Sequence, residues 1–237
     1  MNFDVVFFFH TFLTSLCGVP VTLLMTAGAL LISVPLGFLV AVTRLNKVPV
    51  LKQIAALYVS FIRGTPVVVQ IFIAYSVFPT VLKNLVEMNG WNIDVYKISP
   101  IWYAIIIFGF NIATHFSEIF RSALLSVPAG QKEASYSMGF TTFQTYWKFI
   151  IPQAFVMAAP SFCTASMNML KNTSLAFMIG VMDIVGQAKV AAGIGYRYFE
   201  AYADIFIVYL IVCLLYEKLF NQFAKHVSVF QRGATGR

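Results

Sequence analysis

Charge is scarce in this 237-residue chain: 16 Lys and Arg with 9 Asp and Glu amount to 11% of the residues, against about 25% in an ordinary soluble domain. From Val5 to Thr43 no acidic or basic side chain occurs apart from His10. A water-soluble globule has no way to hide such a run, whereas about 20 apolar residues cross the hydrocarbon core of a bilayer. With 59% hydrophobic residues, disorder and collagen-like repeats are excluded as well. Cysteine is also rare. Cys17, Cys163 and Cys213 are an odd set in apolar segments with no close pair, which excludes a disulfide scaffold and gives no zinc or thioredoxin-type motif. His10, His115 and His226 stand far apart without a His, Cys or Glu at ligand spacing, so a metal site has no support. None of the 14 glycines is followed by Lys, and a phosphate-cradling loop needs that pair. No ATPase or kinase site exists in the chain, and no cofactor is expected. An intramembrane Ser/His protease lacks a nucleophile elbow near His115.

What is present is a series of apolar runs. Laid against the bilayer thickness, they predict five spanning helices, at about Val19 to Val42, Gly64 to Leu82, Ile98 to Ser117, Phe149 to Leu170, and Ala203 to Tyr216. The fifth is short between Asp204 and Glu217 and is expected to borrow Tyr198, Tyr202 and Lys218 at the interfaces. The net charge of +7 is strung singly between these runs, not clustered as a nucleic-acid face requires. Connections alternating onto one side carry Arg44, Lys47, Lys52, Arg63, Arg121, Lys132, Lys148, Lys218, Lys225, Arg232 and Arg237; the other side carries Lys83, Lys97, Lys189 and Arg197. The bias of Lys and Arg toward the cytoplasm puts the N-terminus outside and the C-terminus inside. Met1 to Phe12 lacks the basic leader and cleavage site of a secretory signal and is expected to be retained. Pro20, Gly28, Pro35, Gly37 and Pro160 suit close packing in a transmembrane bundle. The whole chain, 1–237, is expected to be one all-α membrane domain, with a loose tail from about Gln231.

The connection between spans three and four is the most informative segment. Over about 126–140 it reads Ser126-Val-Pro-Ala-Gly-Gln-Lys-Glu-Ala-Ser-Tyr-Ser-Met-Gly-Phe140. Pro128 suits the first turn of a helix and Gly139 its end, giving a helix of about ten residues. Thr141 and Gln144 make a capping box for the next helix. The segment reads either as a lever on the cytoplasmic face or as an ordinary ordered loop.

Glu133-Ala134, Gly139 five residues later, and Ile151-Pro152-Gln153-Ala154 resemble the signature loop of permease subunits of ATP-binding-cassette (ABC) importers. Arg63-Gly64-Thr65-Pro66 with Gln70, Glu118-Ile119-Phe120-Arg121, and Lys171-Asn172-Thr173-Ser174-Leu175 narrow the resemblance to the polar amino acid uptake branch, over about Thr22 to Glu217. The resemblance implies a type I importer fold in which the signature loop is a coupling helix docked on an ATPase subunit. Glu133, Ala134 and Gly139 carry over as its contact positions; the third residue is Ser135 where many members have Ala. It further implies ABC ATPase subunits, an extracytoplasmic substrate-binding protein and a second permease copy or homologous permease as partners, with no nucleic acid involved. The protein is then a multi-pass component of the cell (inner) membrane.

The substrate path is sought among polar groups at membrane depth, which are functional candidates by default. Leu175 to Val181 reads as a half-helix. Asn172 or Thr173 would cap it, and its free amides would then meet an amino acid carboxylate; Ser174 belongs to the same segment. The alternative has Lys171 snorkelling to the interface. Ser161, Thr164, Asn168 and Lys171 recur at spacings of three and four, a single stripe expected to face the bundle interior. Asn111 and His115 form a second polar face on span three. His115 stands where relatives more often have Tyr, and it reads as a packing histidine or a proton carrier. Arg63 is an interface anchor or a gating contact, and Glu118 and Arg121 pair on one helix face. Span four has no carboxylate at Ala165 or Asn172, where carriers of cationic amino acids often place one, so the substrate is expected to be neutral and polar, for example cystine. An ion-coupled secondary carrier working without an ATPase is the competing class.

Overall fold

A computed structural model describes residues 3–46 and 48–235, with side chains described as far as Lys225. Lys47 and Arg237, which entered the charge pattern, lie outside the described residues, as do the side chains of His226 and Arg232. Among the described residues the chain is helical with no strand, and five helical stretches are long and apolar enough to cross a membrane.

The helices are α1 (Val5–Cys17), α2 (Val19–Leu45), α3 (Leu51–Gly64), α4 (Val67–Met88), α5 (Pro100–Ser126), α6 (Ala129–Ser137), α7 (Thr142–Thr145), α8 (Ile151–Asn172), α9 (Ile184–Gly195) and α10 (Tyr198–Thr235). Asp4 starts α1 by accepting from the Phe7 amide at 3.0 Å. Together α1 and α2 cover 41 residues, about twice the length that crosses a ~30 Å core at ~1.5 Å per residue. The crossing is therefore α2, close to the expected limits, and α1 is an extra helix that packs against α9 and α10.

The centre is the packing of α2 on α5, with α8 alongside. Small residues allow it: a Cβ on Gly37 would lie 2.8 Å from that of Phe116, and one on Gly109 would lie 2.8 Å from that of Ile32. Without a hydrophobic drive between helices in lipid, such close van der Waals contact holds a bundle together. Met25, Ala29, Phe108, Ile112, Phe116 and Met169 form the buried core. Phe116 stacks on Phe162 with centroids 4.5 Å apart, joining α5 to α8. By contrast α4 buries only Ile71 and Ala74.

Two expectations are corrected. The fifth span, expected at about Ala203 to Tyr216 with Tyr198, Tyr202 and Lys218 at its ends, is a longer helix: α10 starts at Tyr198 and carries Glu200 and Asp204 inside it, where both are buried. The described part of α10 ends at Thr235. The second correction concerns the half-helix. Thr173–Ile179 is a 3-10 segment that continues directly from α8, and no side chain caps its start. Its first amides are therefore not free, because Thr173 donates back to α8 carbonyls. The chain breaks only at Gly180, whose φ is +85°, and the free helix start lies further on, at Asp183, which caps α9.

Candidate coupling and translocation sites

The segment joining α5 to α8 is built as its residues dictate. Val127 and Pro128 are extended, α6 follows over nine residues, and Gly139 turns the chain with φ +81°. The capping box is present in full: Thr141 Oγ1 accepts from the Gln144 amide at 3.3 Å and Gln144 Oε1 accepts from the Thr141 amide at 3.0 Å. A π-helical turn, Tyr146–Ile150, then feeds α8. Glu133, Ala134 and Gly139 are all exposed, while Ser135 is buried and its hydroxyl bonds the Thr145 hydroxyl at 2.9 Å. Lys132 lies over the Tyr146 ring at 5.5 Å and Lys148 over Phe140 at 5.6 Å. The loop is thus fastened to α7 and to the π-helical turn that feeds α8, and it presents one exposed edge.

On α8 the stripe exists, but its direction is a correction. Ser161, Thr164, Asn168 and Lys171 are exposed on the surface of the chain instead of facing its own interior. The core side of α8 is taken by Cys163, Ser166, Met169 and Leu170. Asn172 is exposed and Ser174 half-buried, whereas Thr173 is buried on the opposite side and donates to the Leu170 carbonyl at 2.8 Å. Only part of the Lys171 to Ser174 motif therefore shares the stripe.

Arg63-Gly64-Thr65-Pro66 is the turn between α3 and α4, and Gln70 organises it. Its amide donates to the Ile62 carbonyl at 2.8 Å, the Thr65 carbonyl at 3.1 Å and the Thr65 hydroxyl at 2.8 Å. These include carbonyls that the end of α3 leaves without helical partners. The remaining Gln70 oxygen accepts from Asn111 on α5 at 3.1 Å. Gln70 and Thr65 border an otherwise apolar cavity of about 180 Å³ with Phe61, Ile73, Phe78 and Phe110. His115, one turn beyond Asn111, is exposed and has the Arg63 guanidinium as a charged neighbour.

Glu118 pairs with Arg121 at 3.0 Å as the spacing predicts, and its other oxygen takes Arg44 at the end of α2 at 2.5 Å. Arg44 is a partner the sequence did not reveal beyond its place after the first apolar run. The sequence reading also missed Asp183. Its carboxylate accepts from the Gly186 amide at 2.8 Å and from the Tyr209 hydroxyl at 3.4 Å, and Tyr209 also engages the hydroxyls of Thr22 and Thr173. This knot ties α2, the end of α8, α9 and α10 together. Burial pushes the Asp183 carboxyl up to about 6, with the Gly186 and Tyr209 bonds opposing. The available signal was an acid between apolar residues, which is costly without partners.

Residues 33–229 match the family described as the binding-protein-dependent transport system inner membrane component. The chain belongs to this family. The permease is 36% identical over 222 residues to the probable amino-acid permease protein YxeN of Bacillus subtilis (strain 168), covering 94% of this chain and 95% of that protein. It is 36% identical over 209 residues to the L-cystine transport system permease protein TcyL of the same organism, covering 88% and 85%. Its fold matches the crystal structure of an amino acid ABC transporter with histidines at a TM-score of 0.77 and 28% identity, over 95% of this chain and all of that one. The MetNI methionine ABC transporter, at 20% identity and a TM-score of 0.66 over 92% and 94%, shares the fold. The resemblance read from the motifs to ABC importer permeases thus holds, and an ion-coupled carrier is set aside on the same ground. The family is one of membrane-embedded components, and the permease is a multi-pass membrane protein.

Proposed function

We propose that the permease imports a neutral polar amino acid, sulfur-containing and of the cystine type, as one of two membrane subunits driven by a separate ATPase. The observation that carries this reading is the α8 stripe. Ser161, Thr164, Asn168 and Lys171 lie exposed on a helix that crosses lipid; Thr164 donates to the Pro160 carbonyl at 3.1 Å, but polar groups left without a partner there cost several kcal/mol, about 2 to 7 each. A second permease copy or a homologous permease covers that face, and the substrate path runs between the two. Asn172, Ser174, Asn111 and His115 extend it, with Thr173 as a buried support. Arg63, Glu118 and Arg121 act at its cytoplasmic end, where Glu118 bridges two helices. The stripe carries no carboxylate to pair with a guanidinium or ammonium side chain, which favours a neutral substrate. The relatives named for L-cystine transport agree with that class.

The exposed edge of α6, with Glu133, Ala134 and the turn at Gly139, docks on the ATPase subunit, and an extracytoplasmic binding protein delivers substrate to the opposite face. The N-terminus lies outside and the C-terminus in the cytoplasm. ATP binding favours one of two arrangements of the helices and hydrolysis restores the other, so the subunit shifts a population and performs no covalent chemistry. The test is uptake by vesicles containing the permease, its ATPase and its binding protein, with labelled cystine, glutamine and arginine. Saturable, ATP-dependent entry of cystine is expected. Preferential entry of arginine would overturn the neutral assignment, and accumulation by the permease alone would overturn the mechanism.

A further inference from the structure

Asp204 lies two turns into α10 and is fully buried. Among the described residues neither of its carboxylate oxygens has a hydrogen-bond partner. α10 packs here against α1 and α9, meeting α8 further along at Phe162 and Phe220, and Ala188, Ala192, Ala201 and Ile205 form an apolar cluster at the joint. On α1 the Thr11 hydroxyl is likewise fully buried and without a partner. Because the chain itself seals Asp204, neither a second permease nor an ATPase nor a binding protein reaches it.

The neighbouring charges do not serve it either. Glu200, one turn earlier, accepts from the Asp4 amide at 3.2 Å, and Arg197 is spent on Asp4 at 2.7 Å and on Glu200 at 4.0 Å. Glu200 is itself an acid and offers Asp204 no counter-charge. On α9, Asp183 is engaged as the helix cap, and Lys189 lies over the rings of Phe177 and Tyr202. His10 on α1 and Lys171 on α8 are exposed. An isolated carboxylate in apolar surroundings neutralises sooner than it stays charged. A metal ion would need several oxygen or nitrogen ligands, and no group of three His, Cys, Asp or Glu able to hold one exists among the described residues. A proton needs only the carboxyl itself.

We propose that Asp204 is a proton-binding site, holding its carboxyl as the neutral acid inside the α1–α9–α10 joint, so that withdrawal of the proton loosens the joint. The proton is taken from water as the helices assemble and returns to water when they part; only the carboxyl O–H bond forms and breaks. The native state then binds a proton that the opened state releases, so stability falls as pH rises. This stands apart from the choice of substrate.

The experiment compares the whole transporter with its Asp204→Asn variant, in which a neutral amide of the same shape replaces the acid. The variant is expected to assemble and import near the normal rate, and its thermal stability is expected to fall less steeply than that of the parent as pH rises above about 4, where a carboxyl released to water has lost its proton. Infrared difference spectra should show a protonated-carboxyl carbonyl band in the parent that the variant lacks. Failure of the variant to assemble, equal pH slopes, or absence of that band would overturn the proposal. So would stabilisation of the parent alone by sodium or potassium, which would make the ligand a metal cation.

Discussion

Asn111 on α5 donates to the side-chain oxygen of Gln70 on α4 at 3.1 Å, and through it α5 is tied to the turn Arg63–Pro66. Gln70 spends both ends at once, its nitrogen on the end of α3 and its oxygen on α5. Since α4 has little other packing, this amide holds much of the α3–α4 hairpin in place. Gln70→Leu keeps the volume but strands Asn111 and the Ile62 and Thr65 carbonyls. These groups are partly buried, so a loss of up to about 1 kcal/mol per stranded group should appear as a lower unfolding temperature and lost uptake. A variant as stable and active as the parent would show that the hairpin is held by other means.

Glu118 holds two guanidiniums on different helices. Because Arg44, Glu118 and Arg121 are each partly exposed, the coupling between Arg44 and Glu118 is expected at about 1 to 3 kcal/mol, between the exposed and buried limits. A double-mutant cycle of Glu118→Gln with Arg44→Gln measures it. A coupling near zero would mean that the bridge does not join α2 to α5 energetically.

Gly139 sits at φ +81° with open space where a Cβ would go. Gly139→Ala is expected to cost about 1 to 2 kcal/mol of backbone strain and to weaken import. Gly139→Asp adds a charge on the exposed edge proposed to dock, and should insert normally yet uncouple ATP hydrolysis from uptake. Intact uptake by the Asp variant would refute the docking role.

Asp183 has a carboxyl pushed up to about 6 from an ordinary 3.8. The folded state holds its proton more tightly than the unfolded one, so its contribution is complete below about pH 4 and is lost as pH rises through about 6. Asn caps helices nearly as well as Asp, so Asp183→Asn removes the titration and keeps the cap. Thermal unfolding of the variant should lose part of the parent's decline over that interval. An unchanged decline would place the titration elsewhere.

Asn168 is exposed in the middle of the α8 stripe. Asn168→Leu should lower import of labelled substrate several-fold while the assembled complex is recovered at normal yield. Unimpaired import would remove this position from the path.

Local features were legible in the sequence because their causes are local. The limits of α6 follow from Pro128 and Gly139, and the capping box from Thr141 and Gln144. The Glu118–Arg121 pair follows from its spacing of three. The direction of the α8 stripe was not legible. Periodicity groups Ser161, Thr164, Asn168 and Lys171 on one face but does not say which neighbour that face meets. The half-helix after Asn172 was misread because Asn and Thr are good caps in isolation, yet here the chain continues from α8 without a break. The fifth span was misread because Asp204 was taken as a boundary, and only α1 and α9 make it an interior residue.

The sequence by itself determined that this protein lives in a bilayer, that five of its apolar runs are long enough to cross it, and that a short helix lies between spans three and four. Run length and capping residues act along the chain, whatever lies beside them. The tertiary structure alone decided that Arg44 meets Glu118, that Gln70 meets Asn111, and that Asp183 and Asp204 are sealed from solvent. Those facts depend on which helices lie side by side, and burial of a charge is a property of the neighbours, not of the residue.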